Sequence, residues 1–544
     1  MAKSGKAAGA RRVDIIVVGA GFGGMYAVYR FREMGYDVQG VEGGGDVGGV
    51  WYWNRYPGAR CDLMSVDYSY GFSEEVQQEW NWSEQFAGQP EILAYANFVA
   101  DRLDLRRSYR FNTRVTSAIW DDESSLWRAT TDKGDVLEAP FCIMSTGPLS
   151  IPKDPDIPGI DRFRGRILRA QIWPDEKIDF TGKRVGVIGT GSTGIQIIQT
   201  LGREAGELFV FQRTPSWTLP MRNHDLEPDY IAEMKRHYPA MRAEMRRNPT
   251  GGTRPVSTRP FFSLPPSQRR DVMEHAWADG GHTFLACFSD LLSNQEANDQ
   301  VAEFVRGKID QIVEDKATAE ALKPRGYPIF ARRVCLDTEY YETYNLPNVH
   351  LVDVLKDPIV EITEKGVRTE SGETELDMLI FATGYDALTG ALLAFDVRGR
   401  GGRTLKEKWR GGPVSYLGLM LEGFPNLFAS SGPNGPAALA NLITIAENDI
   451  DWFAGLVTHM KKHGLATVEA TREAEDRWME IVRALAEKSL VRKAKTWWVG
   501  SNVKGKPEGL TMFVGGFDRY REYCEAAARD GYEALNFERV KEPA

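Results

Sequence analysis

Residues 13–42 read VDIIVVGAGFGGMYAVYRFREMGYDVQGVE. A β-branched run from Ile15 to Val18 meets a glycine turn, a helix follows, and a second strand closes on Glu42. This is the order that a dinucleotide-binding unit requires. Gly19, Gly21 and Gly24 supply G-x-G-x-x-G, with Gly23 beside the last. In such a turn one glycine makes the bend, one lets the backbone approach a pyrophosphate, and one lets the helix pack on the strand. The helix N-terminus then faces the phosphates. Glu42 stands 23 residues after Gly19, where a carboxylate accepts hydrogen bonds from ribose hydroxyls.

A second unit begins at Lys183 with KRVGVIGTGSTGIQIIQTL. Its turn, Gly189-Thr190-Gly191-Ser192-Thr193-Gly194, runs into a helix through Ile195 and Gln196, and these turn residues from Thr190 onward are the expected cofactor contacts. The next strand, ELFVFQRTP, ends on Gln212-Arg213-Thr214 and carries no acid. Removing the acid removes repulsion against a 2'-phosphate, and Arg213 with Thr214 adds a guanidinium and a hydroxyl to bind it. The first unit therefore suits FAD and the second NADPH.

The rest of the chain sets bounds. Its 544 residues suggest two to four domains with ample core. Hydrophobic content of 42%, charged content of 26% and a mean hydropathy of -0.37 describe a globular protein rather than a disordered or membrane-embedded one. A net charge of -9 argues against nucleic acid as partner. The opening MAKSGKAAGARR reads as a loose tail with no signal-peptide core, and the most apolar run, residues 13–28, is too short and too glycine-broken to span a bilayer. Five scattered cysteines without metal-ligand spacing indicate a reducing compartment and no structural zinc. A cytoplasmic protein without a membrane partner is expected, and a monomer, although the sequence does not fix the oligomeric state.

Between 218 and 328 the character turns helical, with Val301, Phe304, Val305, Ile309, Ile312 and Val313 forming one apolar face of a core-packing helix. The strand FCIM runs into Met144-Ser145-Thr146-Gly147, and LDMLIF runs into Ala382-Thr383-Gly384. These paired exits mark where the chain passes between two nucleotide domains. The reading is an α/β fold with two nested Rossmann-like domains. The FAD domain takes 1–147 and 385–544. The NADPH domain takes 148–217, with a linker at 148–182, and 329–384. A helical insertion at 218–328 completes the chain. Residues 163–174, FRGRILRAQIWP, fit neither a helix stripe nor a clean strand alternation.

The first glycine unit, GGVWYWNRYPGARCD at 48–62, that connector, GTGSTG, and PRGYPIFARRVCLDTEYYE together resemble the Baeyer-Villiger monooxygenases, and the similarity runs over essentially the whole chain. The order and spacing are most like those of the phenylacetone, steroid and cyclohexanone monooxygenases. The family's connector motif is F-x-G-x-x-x-H-x-x-x-W-P, and Arg169 stands here in place of its histidine. The resemblance implies an FAD enzyme that takes hydride from NADPH, reacts the reduced flavin with O2, and uses a C4a-peroxyflavin to turn a ketone into an ester or lactone. It also implies that Arg333 is the cation at the reacting oxygens, that Asp62 orients it, and that Arg332 helps hold the cofactor phosphate. Val50, Trp51, Tyr52 and Trp53 would pack by the flavin. Arg60, Cys61, Tyr68, Gln89 and Val115 would line the cofactor region, and Trp497 would come from a mobile loop closing over NADP. Leu63 and Ala437, Ala438 and Ala440 would lie near the substrate.

Three rivals remain at this point. A disulfide reductase also joins FAD and NADPH folds but needs a redox cysteine pair beside the first helix, which is lacking. An N- or S-oxygenating flavin monooxygenase shares the glycine units but not the WYWNRYPG segment or the Arg332-Arg333 pair. The Arg169 departure admits a flavoprotein that binds cofactors without turnover.

Overall fold

A computed structural model describes residues 10–153, 155–501, 503, 505–507 and 509–539. The first nine residues of the expected tail and the side chain of Ala438 lie outside the described residues. Two five-stranded parallel sheets organise the chain. In the first, the strand Ile15–Val18 lies at the centre between Val38–Val41 and Phe141–Met144, flanked by Tyr109–Arg110 and Leu427–Ala429. In the second, Arg184–Ile188 lies at the centre between Glu207–Gln212 and Met378–Phe381.

The strands Ile15–Val18 and Val38–Val41 are buried along their whole length, which is why Ile15–Val18 reads as a continuous β-branched run instead of an alternating one. Both glycine turns sit at the carboxyl end of a central strand, where open α/β sheets bind their ligands.

The connector corrects the sequence reading. Arg166–Arg169 is a parallel edge strand of the second sheet, with Arg166 opposite Met378 and Arg169 opposite Phe381, and a 3-10 turn Ala170–Ile172 follows. The stretch expected as plain linker thus contributes to the sheet. Its alternation was hidden because Leu168 is the one fully buried residue of the strand, set between the half-buried Ile167 and Arg169. Arg162, Arg164 and Arg166 pair with Glu361, Glu364 and Glu176 respectively. Phe163 and Trp173 are buried at the two ends of the connector.

A third sheet packs beside the first, combining Val115–Asp121, Leu126–Thr131 and Val136–Ala139 with Asp396–Arg398 from far along the chain. The region between the halves of the second sheet holds the helices Pro228–Met245, Pro266–Asp279, Gln295–Ile312 and Lys316–Leu322. Val301, Val305, Ile309 and Val313 are buried along one face, with Phe304 and Ile312 packed at its margin. This helical region is entered and left side by side, because the strand Thr218–Pro220 pairs in parallel with Cys335–Asp337. Among the described residues, no helix is long and apolar enough to cross a membrane.

Candidate active site

A cavity of about 610 Å³ opens on the first glycine turn, lined by Gly19, Gly21, Gly23, Glu42, Val50, Trp53, Asn54, Tyr68, Val115, Ser145 and Tyr385 among others. Gly19 has φ of 107° and a Cβ there would lie 2.4 Å from the Ser145 carbonyl oxygen, so only glycine makes this bend. Gly24 faces away from the cavity and allows the helix Phe22–Glu33 to sit on the strand, since a Cβ would meet the Gly19 carbonyl oxygen at 1.9 Å. The Glu42 carboxylate is aimed by main-chain amides, Oε2 accepting from Ala20 at 2.8 Å and Oε1 from Gly44 at 2.6 Å. Ser145 Oγ is buried at the cavity wall without a protein partner. Bare backbone at the helix start, an oriented acid and an unsatisfied hydroxyl fit the pyrophosphate and ribose of FAD.

The short helix Val50–Trp53 forms another wall. Trp51 Nε1 donates to the Tyr68 hydroxyl at 3.1 Å, and Gln89 Nε2 donates to the Trp51 carbonyl at 2.6 Å. Tyr52 accepts from the Gly45 amide at 2.9 Å and carries Arg55 over its ring. Gln89 and Trp51 therefore hold this wall in place.

At the second turn a Cβ on Gly191 would meet nothing within 4 Å, leaving open backbone at the start of the helix Ser192–Glu204. Thr190 Oγ1 donates to the Thr214 carbonyl at 3.0 Å, tying the turn to the next strand's end. Arg213 is exposed there. Burial, Arg213 and Tyr327 act on Arg332, whose guanidinium lies over the Tyr327 ring at 4.2 Å, and the first two lower its pKa. Burial and Arg213 also lower that of Lys153. Arg213 is thus flanked by Arg332 and Lys153, a concentration of positive charge suited to a phosphate.

Three of the expected contacts also hold the protein together. The Ile195 side chain is fully buried in the core, and Gln196 accepts from the Tyr56 hydroxyl at 2.8 Å while donating to the Arg60 carbonyl at 2.9 Å. Arg60 itself is held by Glu84 and the Phe86 carbonyl. Gln196 and Arg60 clamp the 56–60 segment to the second unit's helix. Ser192 Oγ lies 3.1 Å from Cys335 Sγ, and Thr193 approaches the Tyr56 hydroxyl.

That clamp leads directly to Asp62. Cys61 donates its amide to the Ala87 carbonyl at 3.1 Å, and the next residue meets Arg333 across 271 positions of sequence. Arg333 Nε donates to Asp62 Oδ2 at 3.1 Å and Nη2 to Oδ1, a two-pronged pair. Arg333 is delivered by a turn through Ala331, just before the strand Cys335–Asp337. Burial opposes ionisation of Asp62, yet Arg333 and His282 outweigh it and hold the carboxyl below its ordinary range. Asp62 in turn raises the Arg333 guanidinium. The adjacent thiols of Cys61 and Cys335 are each pushed up to about 12, chiefly by burial, so neither is nucleophilic at neutral pH.

Trp497 opens the 3-10 turn Trp497–Val499 and packs edge-on against the buried Trp498 at 6.0 Å. Trp498 belongs to a cluster with Leu388 and Ala437. Ala437 is fully buried in that cluster, so its small side chain is a packing requirement. Lys506 anchors the segment to Asp386 at 2.5 Å. Sequence reasoning missed Lys153, His282 and Tyr385, whose hydroxyl donates to Asn54 at 2.5 Å on the cavity wall. Of these only Tyr385 stood beside a recognised signal, the Ala382-Thr383-Gly384 strand exit.

A flavin-binding monooxygenase-like family model matches residues 10–245. The chain is 42% identical to a Baeyer-Villiger monooxygenase of Pseudooceanicola batsensis, covering 97% of each protein. It is 38% identical to phenazine N-monooxygenase of Lysobacter antibioticus, covering 96% of each. The solved structure of an oxidized steroid monooxygenase bound to NADP superposes with a TM-score of 0.94 at 45% identity, over 97% of this chain and all of that one. Fold, paired nucleotide turns and whole-length likeness converge: the chain belongs to the Baeyer-Villiger monooxygenases, FAD- and NADPH-dependent enzymes that use O2 to convert ketones to esters or lactones.

Proposed function

We propose that this chain oxygenates small-molecule ketones at a centre formed by Arg333 and Asp62. The observation that carries this reading is the two-pronged ion pair between them, assembled where the first unit's 56–62 segment meets the turn that leads out of the helical region. FAD, when bound, supplies the redox chemistry, drawing electrons from NADPH and activating O2. The protein's part is electrostatic. Asp62 keeps Arg333 charged and fixed, and Arg333 presents that charge to oxygen atoms on which negative charge develops. Gly19, Gly21, Glu42 and Ser145 would hold the FAD diphosphate and ribose, while Gly191, Arg213, Arg332 and Lys153 would hold NADPH.

The nested division of domains given above is the arrangement we favour, with the linker stretch Arg166–Arg169 of the NADPH domain serving as an edge strand of its sheet. A cytoplasmic monomer is in keeping with five unpaired cysteines and with large exposed apolar side chains that are few and scattered.

The experiment is NADPH-driven O2 uptake against cyclic, arylaliphatic and fused-ring ketones, with products identified. Esters or lactones in proportion to NADPH consumed support the reading, whereas hydrogen peroxide alone contradicts it. N-oxygenation is the second reading, favoured by the likeness to phenazine N-monooxygenase. An aromatic N-heterocycle in the same panel decides it by giving N-oxide faster than any ketone gives ester.

A further inference from the structure

Arg332 and Arg333 are neighbours in the chain but are held by different means. Arg333 is paired with the Asp62 carboxylate. Among the described residues no carboxylate pairs with Arg332. Its guanidinium lies 4.2 Å from the centre of the Tyr327 ring instead, and its Nε is buried without a hydrogen-bond partner. A carboxylate would orient the guanidinium but cancel its charge toward a phosphate. The negative face of a ring orients it and leaves that charge in force.

Tyr327 is itself fixed from several sides. Its hydroxyl donates to the Pro215 carbonyl at 2.8 Å, just beyond Arg213 and Thr214. That stretch is tied twice to the second glycine turn, because Thr190 Oγ1 donates to the Thr214 carbonyl at 3.0 Å and Ser216 Oγ donates to the Thr190 carbonyl at 2.7 Å. The Tyr327 ring is buried and meets Trp217 edge-on at 6.4 Å. The helix Gln295–Ile312 braces the segment that carries it. Arg306 Nε and Nη2 donate to the Pro324 carbonyl at 3.1 and 3.0 Å. Buried Asn298 accepts from the Ile329 amide at 3.1 Å and donates to the Ile329 carbonyl at 2.8 Å. A helix to which the sequence assigns only core packing thus secures Tyr327 from both ends of its segment.

We propose that Tyr327 is a positioning residue that sets the preference for NADPH over NADH, its ring holding the Arg332 guanidinium and its hydroxyl the 213–216 stretch for the 2'-phosphate. This rests on the reading of Arg213 and Arg332 as part of the NADPH site. The experiment measures anaerobic flavin reduction at limiting NADPH and at limiting NADH in Tyr327→Leu and Tyr327→Phe. Tyr327→Leu should lower the preference for NADPH by about three- to thirtyfold, the range for losing one cation–ring contact. Reduction by NADH should proceed as in the parent. Tyr327→Phe, which keeps the ring, should keep most of the preference.

Parental preference in Tyr327→Leu overturns the proposal. So does an equal loss with both nicotinamides, which is what a merely structural role would give, and so does a preference in Tyr327→Phe as low as that in Tyr327→Leu. A second series holds even where Tyr327→Leu does not fold. Fluorinated phenylalanines at position 327 keep the ring's shape while draining its negative face. The preference should then fall with each added fluorine, and a flat series removes the contact. Arg332→Ala, alone and combined with Tyr327→Leu, distinguishes the two levels of the account. It should lose the preference by itself, and the second change should add little because Tyr327 acts through Arg332. Fully additive losses overturn the proposal. If Arg332→Ala keeps the parental preference, the phosphate site itself is misassigned. If it loses the preference while Tyr327→Leu does not, only the role of Tyr327 fails.

Discussion

In the first nucleotide unit a Cβ on Gly24 would lie 1.9 Å from the Gly19 carbonyl oxygen, and in the second a Cβ on Gly194 would lie 2.0 Å from that of Gly189. The opening glycines match as well, with φ of 107° at Gly19 and 110° at Gly189. Backbone sterics thus dictate the same turn twice in one chain. The units part company one strand later. Glu42 is buried and pinned by two amides, whereas Arg213 is exposed and flanked by Arg332 and Lys153. The shared turn provides for a diphosphate, and the strand end decides which adenosine ribose is accepted.

The largest effects should strike both units alike. Gly24→Ala and Gly194→Ala each drive a Cβ into main chain, which side-chain movement cannot relieve, and each should cost about 3 kcal/mol or more. Chemical denaturation of the two variants checks this. A change near zero in either would break the equivalence of the turns.

Asp62→Asn comes next and tests where the units meet. It leaves Arg333 without its counter-charge, and with a third of the Arg333 side chain reaching solvent the cost should be about 2 to 3 kcal/mol. The sign of the pH dependence follows from the lowered Asp62 carboxyl. Its stabilisation is complete above the unfolded carboxyl range, around pH 4, and is lost as pH falls through the lower folded value. Melting curves from about pH 6 down to about pH 3 should therefore fall more steeply in the parent than in Asp62→Asn. Parallel curves would show that the pair is not ionised.

Arg213→Ala and Glu42→Gln sharpen the contrast between strand ends. Loss of the charge-assisted contact should lower the preference for NADPH over NADH about ten- to a hundredfold. Glu42→Gln should weaken FAD retention and leave that preference unchanged. Steady-state kinetics with both nicotinamides and flavin content after dialysis read the two outcomes. Coupled changes in both variants would refute the division of labour.

Both turns were legible in the sequence because each is a local matter of strand, glycine spacing and helix, complete within about 30 residues. The connector was misread because the pairing that makes Arg166–Arg169 a strand comes from Met378–Phe381, roughly two hundred residues away, and only Leu168 within it is fully buried. Asp62 and Arg333 could be named only through a family resemblance, since no local pattern joins residues 271 apart. His282 and Lys153 were missed for the same reason: their significance lies in neighbours supplied by other segments.

The smallest effect concerns Arg169, which closes the connector strand opposite Phe381. A positioning role survives the change from histidine to arginine, although a titrating role does not. Arg169→His should keep ester formation near the parent level, and Arg169→Ala should slow flavin reduction and oxygenation together by a few-fold. Equal rates in all three would make the position indifferent.

The central claim is that hydride delivery and oxygenation depend on different parts of the chain, with Arg333 serving the second. Arg333→Ala, mixed anaerobically with NADPH and then with O2 and a ketone, tests it most directly. The account predicts that the flavin absorbance bleaches at close to the parental rate while ester is lost and hydrogen peroxide accumulates. Ester at the parental yield would contradict it.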